Sequence, residues 1–314
     1  MISRATLLAG SGYGIAPGSV SFRCAGTIKV TLKWNSVNVT DALKGPFDKI
    51  VTDRWLEATF TPLYYDPTNT TAIFFPWISL QATPPGVTQI FGTTDEPWSF
   101  VGNNGITITF KAGAVTAMPT IDTSIDKPFF GQMTVIGINA TGTDPSSASS
   151  FYSISSGNTF TPPAIPGTAV LARQKWSAVF GSNSGWSAFQ AYEGFQISHE
   201  LGLKWITDSA QRIGALLTGY RAMAKCIPSG NTLAQLASQM AFSGTGAIQG
   251  QRYTADENDL IISGAVSGTI TAKNSSIESG EINFAAEVLN QGEVAFITNV
   301  GDNSGANVAS LILA

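Results

Sequence analysis

Residues Asp48–Leu63 read DKIVTDRWLEATFTPL, and a thinned copy of their pattern returns at Ile213–Pro228, IGALLTGYRAMAKCIP. The first stretch is an extended strand by its residue types. Ile50, Leu56 and Phe60 fall on one face with Arg54, and Val51 and Trp55 fall on the other with Asp53 and Glu57. Apolar groups on both faces predict a strand covered on both sides. The likeness lies in spacing: Ile50-Val51-Thr52, Ala58 and Pro62 are answered by Leu216-Leu217-Thr218, Ala224 and Pro228. Three further matches run in the same order. Leu32-Lys33-Trp34 returns as Leu203-Lys204-Trp205, Thr40-Asp41 as Thr207-Asp208, and GQMTVIGIN from Gly131 as GEVAFITNV from Gly292. In chain order the offsets are 171, 167, 166 and 161, which predicts an internal duplication. The division expected is a β domain over 1–140, a Ser/Thr/Pro-rich linker or long surface loop over 141–167, and a second β domain over 168–314.

Around these stretches strand signals dominate. Gly26–Trp34, GTIKVTLKW, sets Ile28, Val30, Leu32 and Trp34 against Thr27, Lys29, Thr31 and Lys33 with a period of two. Shorter runs at 105–110, 133–139, 260–263, 269–272, 282–288 and 294–300 are mostly bounded by Gly or Asn. One helix is expected at Asn231–Met240, with Asn231 as N-cap and Leu233, Leu236, Ala237 and Met240 on one face. The fold class is therefore mainly β, an antiparallel sandwich or small barrel with a short flanking helix, duplicated in tandem.

Composition narrows the functions. Hydrophobic residues make up 43% of the 314, enough for a substantial core, while charged residues make up only 12%. That is about half the usual share, so the surface is largely uncharged polar or is covered by other subunits. A net charge of −4 argues against a general binder of nucleic acid or anionic membranes. The charge is unevenly spread. Residues 1–54 hold seven Lys/Arg (Arg4, Arg23, Lys29, Lys33, Lys44, Lys49, Arg54) against three Asp, and residues 256–314 hold eight acids against Lys273. Cys24 and Cys226 read as buried free thiols. The start MISRATLLAGSG has too short an apolar stretch for a secretory signal, and no apolar run reaches membrane-spanning length, so synthesis in a cytoplasm is expected.

Catalytic chemistry finds few residues. The single histidine, His199 in FQISHELGL, reads as a structural strand residue. GSNSG at 181–185 has Asn183 where a nucleophile elbow needs Ser and reads as a turn. AGSGYGIAPG at 9–18 misses the dinucleotide spacing and reads as a flexible loop. ADENDL at 255–260 reads as a solvated turn, and one His with two Cys makes no zinc signature. No catalytic residue, metal site or cofactor is expected. The basic front and acidic end instead suit head-to-tail association, with Glu281, Glu287 and Glu293 as the acids whose reversal to Lys tests it.

The run from Gly26 through Asp41 to Asp48-Lys49-Ile50, on to Ala58 and Pro62, and then a late strand of the GQMTVIGI kind, resembles the tail tube proteins of long-tailed bacteriophages. Relatives of that family include distal tail hub proteins and the tubes of contractile injection systems. The resemblance implies packed antiparallel sheets joined side by side into a ring around a lumen, with rings stacked into a tube. It implies a virion location, tape measure, tail terminator and baseplate hub proteins as partners, and DNA passing without specific binding. Asp53 and Glu57 become lumen-facing candidates. Arg4, Arg23, Lys29, Lys33, Trp55, Glu281, Glu287 and Glu293 become inter-subunit or inter-ring candidates. A doubled module implies a trimer with pseudo-sixfold symmetry in preference to a hexamer. The alternatives are another phage structural protein, such as a hub or capsid decoration protein, a carbohydrate-binding adhesin, and a hydrolase on a β scaffold.

Overall fold

The computed structural model describes residues 12–64, 71–78, 90–91, 96–124, 126–139, 151–165, 174–181, 186, 188–208, 211–229, 258–266, 268–282, 291–298 and 311–314. The chain is mainly β and antiparallel, as the alternation predicts. The helix expected at 231–240 lies outside the described residues, as does nearly all of the strand expected at 282–288.

The first sheet begins at β1 (Gly12–Ala16) and a turn at Pro17–Ser19. Two long strands follow, β2 (Val20–Asp41) and β3 (Gly45–Pro62), and then the single helical turn α1 (Thr71–Phe74). Next come β4 (Trp98–Gly102), β5 (Thr107–Phe110), β6 (Ala112–Ala117), β7 (Ile121–Asp122), β8 (Met133–Ile138) and β9 (Tyr152–Ser155). The sheet order is β6-β8-β3-β2-β1-β4-β5-β9. Gly12 and Gly14, expected in a flexible loop, lie in β1 instead, because a Cβ on Gly14 would fall 2.1 Å from the Phe22 ring packed across it. Tyr152–Ser155, expected in a linker, pairs with β5 and extends the sheet, and Phe151 beside it is buried.

The second sheet holds β10 (Trp176–Phe180), β12 (Gln196–Asp208), β13 (Gln211–Cys226), β15 (Asn258–Gly264), β16 (Thr269–Ile282) and β17 (Gln291–Thr298). Its order is β10-β15-β16-β17-β13-β12-β7, with β18 (Leu311–Leu313) on β16. β11 (Gln190–Ala191) and β14 (Pro228–Ser229) pair separately. β7 belongs to the first half in sequence but pairs with β12 at Gln196–Ile197, so the two sheets are stitched together. One aromatic cluster runs through both, from Phe22, Phe60, Phe100 and Phe110 to Phe130, Trp176, Phe180, Trp186 and Phe296.

The strand unit β6-β8-β3-β2 recurs in the second sheet as β16-β17-β13-β12. Val30 stands opposite Ala58 and Ala58 opposite Val135; likewise Ile197 stands opposite Ala224 and Ala224 opposite Phe296. The bulges recur as well. Register breaks at Asn35/Ser36 and Val39/Thr40 return at Gly202/Leu203 and Ile206/Thr207, leaving Thr52 and Thr218 as matching unpaired residues. A break at Val115/Ala117 between β6 and β8 returns at Ile277/Ser279 between β16 and β17. A bulge is a deliberate one-residue insertion that bends a strand, so the repetition extends below the hydrophobic pattern. One expected match drops out. In this register Leu203 is the counterpart of Ser36, since each follows the equivalent bulge, so the Leu-Lys-Trp likeness is four residues out of step.

The bulge at Thr52 also corrects the faces expected for β3. It reverses the alternation, so Ile50 lies opposite Val37 on one face while Leu56 lies opposite Leu32 on the other. Leu32, Trp34, Val51, Arg54 and Leu56 therefore share one face of the hairpin, here called face A. Val37, Val39, Ile50, Asp53, Trp55 and Glu57 share face B.

Candidate assembly surface

The outer part of the β2–β3 hairpin projects beyond its sheet. Its turn is set locally: the Asp41 carboxylate accepts from the backbone N–H of Leu43 (2.7 Å) and Lys44 (3.0 Å), and Gly45 takes φ +75°. Leu32, Trp34, Val37, Val39, Leu43, Phe47, Ile50 and Val51 are all exposed along it. Apolar groups left exposed on both faces of one hairpin mark an interaction surface. Trp34 lies on the same side of its strand as Ile28 and Val30, which pack against the core, but the strand outruns the core.

The matching β12–β13 hairpin is covered. Its face-A counterpart carries Leu201, Leu203, Trp205, Ala215 and Leu217, which pack with Ala112, Ala114, Ile136 and Ile138 of β6 and β8. Arg212 closes this contact. Its guanidinium lies 3.7 Å from the Trp55 ring centroid and 4.2 Å from that of Trp205, and its Nε donates to Asp53 Oδ2 at 2.8 Å. Beside it the buried Asn139 Nδ2 donates to Gln211 Oε1 at 2.9 Å. Arg212, Trp205, Asn139 and Gln211 carry no sign of this role in the sequence, because nothing local marks pairs this far apart in the chain.

These contacts relocate several expected residues. Asp53 is 8% exposed and faces Arg212, not solvent. Glu57 is paired with Lys33 at 2.7 Å. Trp55 packs under Arg212 of its own chain, and Arg23 Nε donates to the carbonyl of Pro163. Glu293 pairs with Lys225 at 2.8 Å. Lys29 and Glu281 are exposed. Arg4 and Glu287 lie outside the described residues.

His199 sits in β12 between the rings of Phe75 (centroids 5.4 Å) and Tyr220, whose hydroxyl is 2.9 Å from Nδ1. Burial lowers its pKa to about 4, with the Pro119 backbone opposing. The folded state therefore takes up its proton later than the unfolded state, whose value is near 6.5. Stability is complete above that value and falls as pH drops from about 6.5 towards about 4, by about 3 kcal/mol in all. Urea titrations across this range should show the loss, and His199→Leu should flatten it; an equal slope in the variant would contradict the assignment. Burial also raises the Cys24 thiol to about 12 and pushes Cys226 up, and both cysteines are free. Among the described residues no three or more His, Cys, Asp or Glu gather as a metal site, and no helix is long and apolar enough to cross a membrane.

A scan against protein-family models and a search of curated proteins each find no match to this chain.

Proposed function

We propose that this chain is a structural protein that assembles with itself into rings, and that the rings stack into a phage tail tube through which DNA passes. The observation that carries the reading is the doubled four-strand unit, in which one hairpin is covered within the chain and its twin is bare. Such a molecule is half-satisfied as a monomer. Further copies can cover the bare hairpin, and head-to-tail contacts of this kind close into rings when the rotation allows. Ring closure also removes free sheet edges that would otherwise invite aggregation.

On this reading the two units act as two tube-like modules, so three chains make a pseudo-sixfold ring. The acidic net charge suits a channel that repels phosphate and lets DNA slide. Tape measure, terminator and baseplate hub proteins are the corresponding tail partners, in a virion assembled in a bacterial host. Electron micrographs of the purified protein test the reading. Rings or tubes with a central channel are expected, and uniformly dispersed single chains would overturn it.

A second reading rests on a different place. A cleft of about 600 Å³ lies between Thr123, Ser124 and Lys127 on one side and Gln190–Gly194 on the other, with the exposed Tyr192 ring beside Gln174, Lys175 and Asp126. An open aromatic ring among polar groups suits a sugar. Glycan binding by the single chain, lost in Tyr192→Ala, would favour a carbohydrate-binding protein.

A further inference from the structure

The two units give one contact and its missing twin. In the covered contact, face A of the β12–β13 hairpin seats on face B of the first unit, where Asp53 and Trp55 meet Arg212. The register assigns counterparts. On the bare hairpin Trp34 stands for Leu201, Lys49 for Ala215 and Val51 for Leu217. Ala215 and Leu217 are 0% exposed, whereas Trp34 is 58% and Val51 43% exposed. The same positions are thus sealed in one unit and open in the other.

The receiving face has a counterpart too. Asp53, Trp55 and Glu57 of β3 correspond to Gly219, Arg221 and Met223 of β13. A Cβ on Gly219 would meet no atom within 4 Å, and Arg221 is exposed beside Glu200. Charge differs between the two surfaces. In the covered contact the hairpin brings Arg212 to Trp55 on the sheet; in the open one the register puts Pro46 in the place of Arg212 and Arg221 in the place of Trp55. Lys49, where the covered contact has alanine, adds a cation opposite a surface that carries the exposed Glu200 and Glu278.

We propose that the Leu32–Trp34–Val51 face docks on the β13 face bearing Gly219, Arg221 and Met223 of a second copy of this chain, repeating between chains the contact made within each. The inference rests on the self-assembly reading and adds the two surfaces. It also fixes the contact as heterologous, with hairpin on sheet and never hairpin on hairpin.

Two variants test it from opposite sides. Trp34→Glu alters an exposed side chain, and Gly219→Trp fills open space, so both should keep the melting temperature of the wild type. Each should reduce the mass in solution to that of one chain. A photo-crosslinker at position 34 of the otherwise unaltered chain should give intermolecular products within 211–226. If the wild type assembles while both variants also assemble, or if position 34 crosslinks to another copy's hairpin, the docking inference is overturned and the self-assembly reading survives. A wild type that stays a single chain overturns both.

Discussion

Replacing Arg212 with Met should destabilise the folded chain by about 3–5 kcal/mol, the usual cost of leaving a buried charge without its partner. The Asp53 carboxylate is left among Trp55 and the buried apolar groups of β6 and β8. Its Oδ1 already lacks a hydrogen-bond partner, so the Arg212 contact at Oδ2 is its principal compensation. The variant also loses the stacking of the guanidinium between Trp55 and Trp205, a further contribution of about 1–2 kcal/mol when such a cation is desolvated. The double variant Asp53→Asn, Arg212→Met should recover most of the loss, because it removes the orphaned charge along with its partner. Urea unfolding of the wild type, the two single variants and the double variant measures the coupling. An Arg212→Met chain within about 1 kcal/mol of wild type would show that the pair is not what joins the second hairpin to the first sheet.

Leu217→Asp should prevent folding, and Val51→Asp should not, although the two residues hold the same place in their hairpins. Leu217 is packed against Ala114, Ile136 and Ile138 and is 0% exposed. Losing one buried leucine alone costs about 2–5 kcal/mol, and a carboxylate left there without a partner adds its desolvation. Val51 is 43% exposed, while Leu56, Ala58 and Phe60 on the other side of the bulge stay in the core. The Val51→Asp chain should therefore melt near the wild-type temperature and fail to assemble, because the carboxylate sits on the face that docks. Circular dichroism and light scattering separate the two outcomes. Equal effects from the two substitutions would contradict the different roles given to the hairpins.

Much of this architecture can be read from residue patterns, and the exceptions share a cause. Period-two alternation identifies Gly26–Trp34 and most of the shorter strands, because a half-buried strand needs that spacing. The mixed faces of Lys49–Pro62 are legible only as disorder in the pattern, since the bulge at Thr52 shifts its phase and a linear count assigns Ile50 and Leu56 to one face. Counted offsets find the repeat but also admit the Leu-Lys-Trp match, because short similar strings recur by composition alone. Gly14 reads as loop material until Phe22 is seen lying over it. Asp53 reads as a solvent-facing acid because its partner, Arg212, is 159 residues away. Exposure of the first hairpin is the least legible feature, since its apolar residues look like those of the covered hairpin and differ only in what lies against them.

The mass of the protein in solution, measured by light scattering across a concentration series, bears most directly on the claim that the doubled unit closes on copies of itself. Three chains of 32.9 kDa, or stacks built from multiples of three, are the result expected of a pseudo-sixfold ring. A constant mass of one chain at every concentration, with Trp34 still open to a soluble quencher, would contradict it.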